Sequence, residues 1–487
     1  MIDRQEILEF ASDVGLDPNV VEKDYVLGWM LAGVSQHPRT RETWVFKGGT
    51  CLKKCYFETY RFSEDLDFTL LDGSHVDVAV LRGLFVEITE WIYNESGIEF
   101  PDDARHFEVY ANPRGKNSAQ SRIGYRGPMG RPGDAPRIRF DLTDDERLVR
   151  NGERRQVHHP YADEPDGGIH VLAYCFDEIF AEKLRALAER ERPRDLYDVI
   201  HLHRHETGAD RASVHDILKA KCDFKGIAVP TLNSLRDSQH HAALRADWQQ
   251  MLAHQLPQLP PFESFWNELP AMFEWLHSGP AKPQPPLMGP GRNEIDSAWR
   301  APAMASSWRG MGVTAPLELI RFAAANRLCV ELDYQDEKGQ RGTRTIEPYS
   351  LRRTSAGDLL LYAVRSQDGQ DRSYRVDRVL GARATNQSFS PRYMVELSTA
   401  GPLNAPDVSR ASSHLSPSPF APSRPRATPR RAKSAFSGFG QPRHVFQCSY
   451  CGKKFERAEY DASLRPHKTK DGYPCPSRTG YFVTTKY

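Results

Sequence analysis

The sequence lacks long apolar runs, a recognisable leader and a strong net charge. No segment approaches the roughly 18 consecutive apolar residues of a membrane-spanning helix, so we expect no membrane partner. The first residues, Met1–Glu6, are not a basic segment followed by an apolar core, and they predict no signal peptide. The 487 residues carry a net charge of +1, so only local basic segments can indicate a nucleic-acid partner.

Cysteine is sparse as well. The chain has 8 cysteines, and five of them are scattered along it: Cys51, Cys55, Cys175, Cys222 and Cys329. Scattered cysteines in a chain without a leader are typical of reduced proteins and argue against a disulfide framework. We therefore expect a cytoplasmic location. The other three cysteines lie close together near the end of the sequence.

The most informative segment is a glycine turn followed by two carboxylates. Gly48-Gly49-Thr50 follows a short apolar strand, and Asp65-x-Asp67 begins the next one. Because side chains alternate faces along a strand, Asp65 and Asp67 point to the same side. Mg²⁺ prefers oxygen ligands and retains substrate phosphates, while a glycine turn lets backbone N–H groups approach those phosphates. The segment therefore predicts a site for a nucleoside triphosphate (NTP) and its Mg²⁺.

These residues resemble the first motif of the nucleotidyltransferase superfamily. The wider sequence around this motif, FKGGT at 46–50 and RFSEDLDF at 61–68, resembles the AbiEii/AbiGii toxin family, which includes the MenT-type toxins. Three more matching segments occur in the expected order: EKDY at 22–25, FAEKLRAL at 180–187 and RDLYD at 194–198. The resemblance covers residues 1–210 and implies a metal-dependent transferase.

A third carboxylate is expected, because two metal ions about 3.5–4 Å apart need more ligands than one bridging pair supplies. Asp141, on a predicted strand, is the candidate, and the alternative is an acidic side chain that is merely exposed. In this scheme Asp65 and Asp67 bridge the metals. Asp141 either binds the metal at the acceptor hydroxyl or takes the proton of that hydroxyl.

The resemblance implies further site residues. Lys183 supplies a positive charge to the triphosphate, and Asp195 is a further functional acid flanked by Arg194 and Asp198. Alternatively, Lys183 forms a surface ion pair and Asp195 braces a helix. The predicted nucleotide-binding residues are Gly48, Gly49, Thr50, Arg61 and Ser63. For Arg61, two roles stay open, a phosphate contact and a brace for the D-x-D strand.

The predicted fold class is α+β, with a nucleotidyltransferase-like mixed sheet flanked by helices, a small β-rich module and a small zinc module. Periodicity predicts strands at 66–70 and 137–142 and a helix from Phe176 to Arg190, whereas the glycines, prolines and arginines of 110–136 predict a loop. The predicted segments are a nucleotidyltransferase core at 1–210, a helical extension at 211–278, a linker at 279–312, a β module at 313–400, a disordered basic Pro/Ser-rich linker at 401–443 and a zinc module at 444–487.

The β module resembles the WYL domain, a ligand- or nucleic-acid-sensing module of bacterial regulators. The resemblance is carried by LLLYAVRS at 359–366 and SYRVDRV at 373–379, among short predicted strands. The Trp-Tyr-Leu of that family falls on Leu359-Leu360-Leu361, so only the leucine is kept.

The end of the chain has the spacing of a zinc site. Cys448 and Cys451 are separated by two residues, His467 follows after 15 more and Cys475 after a further 7. Three thiolates and one imidazole suit a tetrahedral, structural Zn²⁺, and so small a module needs the free energy of metal binding to fold. His444 is an alternative ligand. The surrounding lysines and arginines indicate nucleic-acid contact or, alternatively, a solubilising or protein-docking surface.

We therefore predict a Mg²⁺-dependent enzyme that transfers a nucleoside monophosphate from an NTP to an acceptor hydroxyl. The resemblance implies that the acceptor is the 3′ end of tRNA, and that the chain is a toxin with an antitoxin partner or a role in phage defence. Two alternatives remain: a catalytically inactive nucleic-acid-binding regulator, and a transferase that modifies a protein or a small molecule.

Overall fold

The computed structural model divides into two compact units, Met1–Ser413 and His414–Tyr487. The described residues are 1–111, 115–131, 133–205, 209–278, 287, 314–354, 357–397, 399–400, 403, 405, 443–448, 453–457, 463–465, 467, 469, 475 and 480–486. The linker predicted at 279–312 and the basic segment predicted at 401–443 lie almost entirely outside these residues, as does Cys451.

The first unit contains two sheets and the helices around them. Its helices are α1 (Arg4–Val14), α2 (Pro18–Gln36), α3 (Gly48–Cys51), α4 (Val78–Ser96), α5 (Phe176–Arg190), α6 (Pro193–Arg204), α7 (Arg211–Lys225), α8 (Leu232–Arg236), α9 (His241–Ala246), α10 (Trp248–Leu252), α11 (Phe262–Trp266), α12 (Leu269–Ser278) and α13 (Thr314–Ala325). Its strands are β1 (Trp44–Lys47), β2 (Asp65–Leu70), β3 (Arg105–Ala111), β4 (Asn117–Gly124), β5 (Arg137–Thr143), β6 (Glu153–Val157), β7 (Ile169–Ala173), β8 (Leu328–Gln335), β9 (Arg341–Arg353), β10 (Leu359–Arg365), β11 (Asp371–Arg375) and β12 (Val379–Ser388).

The larger sheet is mixed, with strand order β3-β4-β5-β2-β1-β7-β6. Strand β2 lies at its centre, antiparallel to β1 and parallel to β5. Helix α2 is buried along most of its length and packs against α4 and β7. Its start follows from local sequence, because Asp17 accepts a hydrogen bond from the Asn19 N–H and Pro18 occupies the first turn. This arrangement confirms the predicted α+β class.

The smaller sheet has strand order β11-β10-β9-β8-β12, and all its pairs are antiparallel. Helix α13 packs against β8, β9 and β12. One continuous cluster of buried apolar side chains runs from Ile2 to Ala405 and includes residues of both sheets. The β module is therefore packed against the helices of the larger sheet.

Polar contacts cross the same boundary. The Tyr197 hydroxyl, on α6, donates to Asn326 Oδ1 at 2.8 Å, and both side chains are buried. The backbone N–H of Thr59 donates to the carbonyl of Thr399 at 3.1 Å. A buried hydrogen bond is costly to break because each partner would lose its bond without gaining water. These contacts add specificity to the apolar packing between the two sheets.

The second unit contains a three-stranded antiparallel sheet with order β14-β13-β15. Its strands are β13 (Arg443–Cys448), β14 (Lys454–Arg457) and β15 (Gly480–Lys486). Its apolar cluster is small, with Phe446 and Leu464 beside Cys448 and Cys475, and Phe455 packed against them. Within the described part of the chain, no helix is long and apolar enough to cross a membrane.

Candidate active site

A row of polar side chains crosses the centre of the larger sheet. In register, Gln120 on β4 pairs with Asp141 on β5, Asp141 pairs with Asp67 on β2, and Asp67 pairs with Lys47 on β1. Register partners on adjacent strands point to the same face, with Cβ atoms roughly 4.5–5.5 Å apart. The sheet therefore places two carboxylates side by side, with an amide on one flank and an ammonium group on the other.

The neighbouring row adds Asp65 and Arg139, which are register partners on β2 and β5. Arg139 donates to Asp141 Oδ2 through Nε at 3.0 Å and Nη2 at 2.7 Å, and Nη2 lies 3.6 Å from Asp65 Oδ2. Its guanidinium therefore lies between two of the three predicted metal ligands. Asp141 Oδ1 accepts a further bond from Gln120 at 3.0 Å.

The glycine turn closes against this row of carboxylates. Gly48 has φ of +81°, and a Cβ at this position would lie 2.1 Å from Asp67 Oδ2. A Cβ on Gly49 would lie 2.6 Å from Arg61 Nη2 and 3.1 Å from Ser63 Oγ. The Thr50 hydroxyl donates to the carbonyl of Asp65 at 2.5 Å, which fixes the turn to β2. The five predicted nucleotide-binding residues are thus brought together beside Asp67.

Burial and like charge change the acidity of the carboxylates. Burial, reinforced by Asp141, raises the pKa of Asp67 to about 6, against the opposing effect of Lys47 and Lys183. Burial also raises the pKa of Asp65, although Arg139 opposes the shift. A bound cation would stabilise the ionised forms of Asp65 and Asp67, which the protein alone disfavours. The donor set therefore fits a hard divalent cation.

The three carboxylates are not gathered around one point. Among the described residues, only the group Cys448, His467 and Cys475 has three potential ligand atoms all within 4.8 Å of one another. Arg139 supplies a physical reason, because its guanidinium is held between Asp65 and Asp141.

A buried cluster of ion pairs lies next to the glycine turn, with Asp198 on α6 at its centre. Asp198 accepts hydrogen bonds from Arg61 at 2.7 and 2.8 Å, and the Tyr60 hydroxyl donates to it at 2.5 Å. Lys183 Nζ lies 2.7 Å from Asp198 Oδ2 but 4.0 Å from Asp195 Oδ1. Arg61 also donates to Gln255 Oε1 at 3.0 Å. The guanidinium of Arg61 therefore braces the chain before β2.

Asp195 has a different partner. Arg190 donates to both of its carboxylate oxygens, at 2.8 and 2.9 Å. The predicted catalytic residues thus form two groups, with Asp65, Asp67 and Asp141 on the sheet and Lys183 and Asp195 on α5 and α6.

Comparison with known proteins identifies the family of this chain. The family model described as "Nucleotidyl transferase AbiEii toxin, Type IV TA system" matches residues 29–274, which is just over half of the 487-residue chain. The chain belongs to the AbiEii nucleotidyltransferase toxin family. A second model, the WYL domain, matches residues 316–384 of this AbiEii-family chain. Comparison with curated proteins found no match.

Solved structures similar to this AbiEii-family protein include the following three. MenT4, a nucleotidyltransferase toxin from Mycobacterium tuberculosis H37Rv, is 19% identical with a TM-score of 0.42, over 57% of this chain and 90% of its own. JHP933 from Helicobacter pylori is 18% identical with a TM-score of 0.36, over 54% of this chain and 93% of its own. The proteasome accessory factor PafBC of Arthrobacter aurescens is 12% identical with a TM-score of 0.15, over 65% and 26% respectively.

The site of this AbiEii-family protein includes residues that the sequence analysis did not select. Lys47 follows the short apolar strand directly and faces Asp67, and Arg139 stands two residues before Asp141. Lys47 is buried, with Glu182 at 3.5 Å and Glu146 at 3.8 Å. The rule of strand alternation that paired Asp65 with Asp67 applies equally to Arg139 and Asp141. Gln120 gave no such signal, because its strand was expected to be a loop.

The tightness of the glycine turn leads to a first prediction. Gly48→Ala places a Cβ inside the contact distance of Asp67 at a φ that L-residues rarely adopt, so we expect the turn or Asp67 to shift. We expect the rate of nucleotidyl transfer to fall at least tenfold, because a misplacement of about 1 Å in an active site commonly causes a loss of this size or larger. Initial rates of label transfer from NTP measure the effect. Gly83→Ala, in α4 with no atom within 4 Å of its added Cβ, is the matched control. Equal rates for the two variants would contradict the proposed position of the turn.

Proposed function

We propose that this AbiEii-family toxin is a Mg²⁺-dependent nucleotidyltransferase that transfers a nucleoside monophosphate from an NTP to an acceptor hydroxyl. The observation that carries the proposal is the register pair of Asp67 and Asp141 on adjacent strands, with Asp65 on the same face and Gly48 packed against Asp67. Carboxylates on one face of the sheet, beside a Cβ-free turn, are the ligand types that a cation and a phosphate chain need.

The chain's own residues have distinct tasks in this proposal. Asp65, Asp67 and Asp141 would hold the Mg²⁺ that, when bound, neutralises charge on the phosphates. The backbone of Gly48 and Gly49 lies where phosphate oxygens would approach. Asp141 would either bind the Mg²⁺ at the acceptor hydroxyl or take the proton of that hydroxyl. A bond then forms between the acceptor oxygen and the α-phosphorus, the bond from that phosphorus to the β-phosphate oxygen breaks, and pyrophosphate leaves.

Two basic side chains lie close enough to the carboxylates to act on the triphosphate. Lys183 opposes the raised pKa of Asp67, and Lys23 opposes that of Asp65. Each is also paired within the protein, Lys183 with Asp198 at 2.7 Å and Lys23 with Glu64 at 2.8 Å. The ion pair with Asp198 would therefore hold Lys183 in place, while it also offsets part of the lysine charge.

The proposed acceptor is the 3′ end of tRNA, and the proposed partner is an antitoxin protein. Support comes from the family, whose model describes a toxin of a toxin–antitoxin system. Addition of a nucleotide to that 3′ end would block aminoacylation and arrest growth, as a toxin or a phage-defence effector must.

Incubation of the full chain with Mg²⁺, each labelled NTP and total tRNA tests the proposal. We expect label in tRNA with wild type and none with Asp67→Asn. Label in a protein or a small molecule instead would move the function to another acceptor class. Absence of label from every acceptor, together with tight DNA binding, would support the inactive regulator.

The bridging position of Arg139 gives a second prediction. Since Arg139 must release Asp65 and Asp141 before these can bind a cation, we expect Arg139→Met to bind Mn²⁺ several-fold more tightly without nucleotide. Electron paramagnetic resonance of unbound Mn²⁺ measures this directly. Arg122→Met is the control, since Arg122 lies beside Arg139 on β4 but donates to Gln120, at 2.8 Å. Unchanged or weaker Mn²⁺ binding by Arg139→Met would contradict the proposed ligand set.

We also propose that the β module and the second unit guide nucleic acid or sense a ligand. Support comes from the WYL match and from the basic residues of 401–487. Deletion of residues 401–487 should then weaken tRNA binding, measured by filter retention, and unchanged binding would count against this role.

A further inference from the structure

The second unit contains a cluster of side chains with no role in the proposed transfer reaction. Cys448, His467 and Cys475 place one potential ligand atom each within 4.8 Å of the other two. Both cysteines are 1% exposed. They come from different segments, with Cys448 at the end of β13 and Cys475 in the connection before β15. A ligand bound by all three side chains would therefore link segments that are distant in sequence.

The spacing of the two sulfurs distinguishes between a disulfide and a shared metal. Cys448 Sγ and Cys475 Sγ are 3.7 Å apart, whereas a disulfide bond is about 2.05 Å long. Two thiolates bound to one tetrahedral zinc at about 2.3 Å each would be about 3.8 Å apart. The observed separation is too long for a disulfide and matches two neighbouring corners of a zinc-centred tetrahedron, a distance that two thiols in contact also have.

The imidazole of His467 is oriented by its surroundings. Nδ1 lies 2.9 Å from the carbonyl oxygen of Arg465, and because a carbonyl only accepts, Nδ1 carries the proton. Nε2 therefore has a lone pair, and it is buried without a hydrogen-bond partner among the described residues. A metal-binding histidine is commonly fixed in this way, with the second nitrogen donating to a backbone carbonyl. The lone pair of Nε2 is therefore available to bind a metal ion.

The backbone around the cluster is tied to the same residues. Cys475 donates through its N–H to the carbonyl of His467 at 2.8 Å, and Cys448 donates to the carbonyl of Lys453 at 2.9 Å. The ring of Phe455 lies edge-on to His467 at 4.9 Å. The apolar cluster of this unit is small, and proteins below about 70–80 residues commonly need a disulfide or a structural metal besides their core.

We propose that Cys448 Sγ, Cys475 Sγ and His467 Nε2 bind one structural zinc ion, and that this ion stabilises the three-stranded sheet of β13, β14 and β15. Thiolate and imidazole donors select zinc over magnesium, so this site is chemically separate from the carboxylates of the first unit. The proposed site consists of these three described ligands. The proposal does not depend on nucleotidyl transfer.

Metal analysis of the full chain tests the proposal. We expect about one zinc per chain after purification without chelator. Co²⁺ substitution should give the absorption of a tetrahedral thiolate site. Removal of zinc with a zinc-selective chelator, with Mg²⁺ held constant, should make the second unit sensitive to limited proteolysis while the first unit stays intact. A zinc-free chain with an equally resistant second unit would overturn the proposal, as would a Cys448–Cys475 disulfide in unreduced protein.

Variants separate zinc binding from simple misfolding. His467→Ala should lose zinc, whereas His467→Cys should keep it, because a thiolate can replace the imidazole as ligand. Cys175→Ser, at an unrelated cysteine in the first unit, is the control and should retain zinc fully. Retention of zinc by His467→Ala would overturn the role of Nε2, whether or not either variant transfers nucleotides.

Discussion

Asp67→Asn is expected to abolish nucleotidyl transfer while making the metal-free protein more stable. Loss of an outer-shell partner of a metal ligand typically costs about 10–100-fold, so loss of a ligand should cost more than about a hundredfold. The gain in stability follows from the pKa of Asp67, which burial and Asp141 raise to about 6. The folded protein therefore disfavours the Asp67 carboxylate, and an uncharged amide of nearly the same shape relieves this.

The gain in stability of Asp67→Asn depends on pH. The folded-state pKa lies above the unfolded value of about 3.9, so wild type loses stability as pH rises from about 4 to 6. Asp67→Asn should not lose stability in this way, because asparagine does not ionise. The variant should be more stable by on the order of 1–2 kcal/mol at pH 7.5, since one pKa unit corresponds to about 1.4 kcal/mol and Asp67 is only half-buried. Below about pH 4 the difference should vanish.

Urea unfolding in EDTA at pH 4 and pH 7.5, together with initial transfer rates, checks both parts. Asp333→Asn is the control, because Asp333 is exposed on β8 and accepts only a hydrogen bond from Thr343, at 2.7 Å. It should change neither quantity appreciably. Retained transfer activity in Asp67→Asn would remove Asp67 from the proposed metal site. A destabilised variant at pH 7.5 would show that the carboxylate is favoured in the fold.

The elements best predicted from sequence are those whose pattern is local. Helix α5 was expected at Phe176 to Arg190 and has these bounds, and β2 and β5 differ from their predicted limits by one residue. Their apolar residues recur with the period of one helix face or one strand face. The D-x-D pair could be placed on one face for the same reason.

The elements that were missed depend on distant partners. Strand β4 (Asn117–Gly124) falls in a segment expected to be a loop because of its glycines, prolines and arginines. It lies between β3 and β5, and small polar residues such as Ser118 and Ser121 are buried in it, with Ser118 donating to Thr143. Strand β12 was missed similarly, since its residues pair with β8, about 50 positions earlier in sequence. Apolar alternation cannot predict a strand buried through polar contacts.

The candidate site likewise contains pairs of residues that are close in sequence and pairs that only the fold brings together. Asp65 and Asp67 are two residues apart, so strand geometry alone relates them. The pairing of Arg61 with Asp198 spans 137 positions and exists only because α6 packs against the chain before β2. The sequence resemblance pointed to Asp195, whereas the carboxylate that binds both Arg61 and Lys183 is Asp198.

Asp198→Asn is therefore expected to destabilise the first unit strongly, with a loss of about 3–5 kcal/mol in the free energy of unfolding. Its carboxylate is fully buried and accepts from Arg61, Lys183 and Tyr60. Asparagine has one oxygen and an NH₂ group, so it leaves buried Arg61 without its charged partner and Lys183 with the more distant Asp195, at 4.0 Å. Removal of one partner from a buried ion pair is costly because the remaining charge is not hydrated.

Asp195→Asn is the matched comparison on the same helix. Its main partner, Arg190, has a side chain that is 47% exposed and can be hydrated when the carboxylate is lost, so a loss near 1 kcal/mol is expected. Urea unfolding of both variants at pH 7.5 measures the difference. Equal losses would show that Asp198 is not the centre of the buried cluster. If Asp195→Asn folds normally but transfers no nucleotide, Asp195 acts in the reaction rather than in the fold.

The pH dependence separates the effect of charge at Asp198 from the effect of shape. Burial alone would raise the pKa of Asp198, but Arg61 and Lys183 outweigh burial and hold it below its usual range. A lowered pKa means that the stabilisation is present above the unfolded value of about 3.9 and is lost as pH falls below it. The gap between wild type and Asp198→Asn should therefore narrow progressively below about pH 4. A gap that stays constant to pH 2.5 would indicate that the amide disrupts packing, and that the charge of Asp198 contributes little.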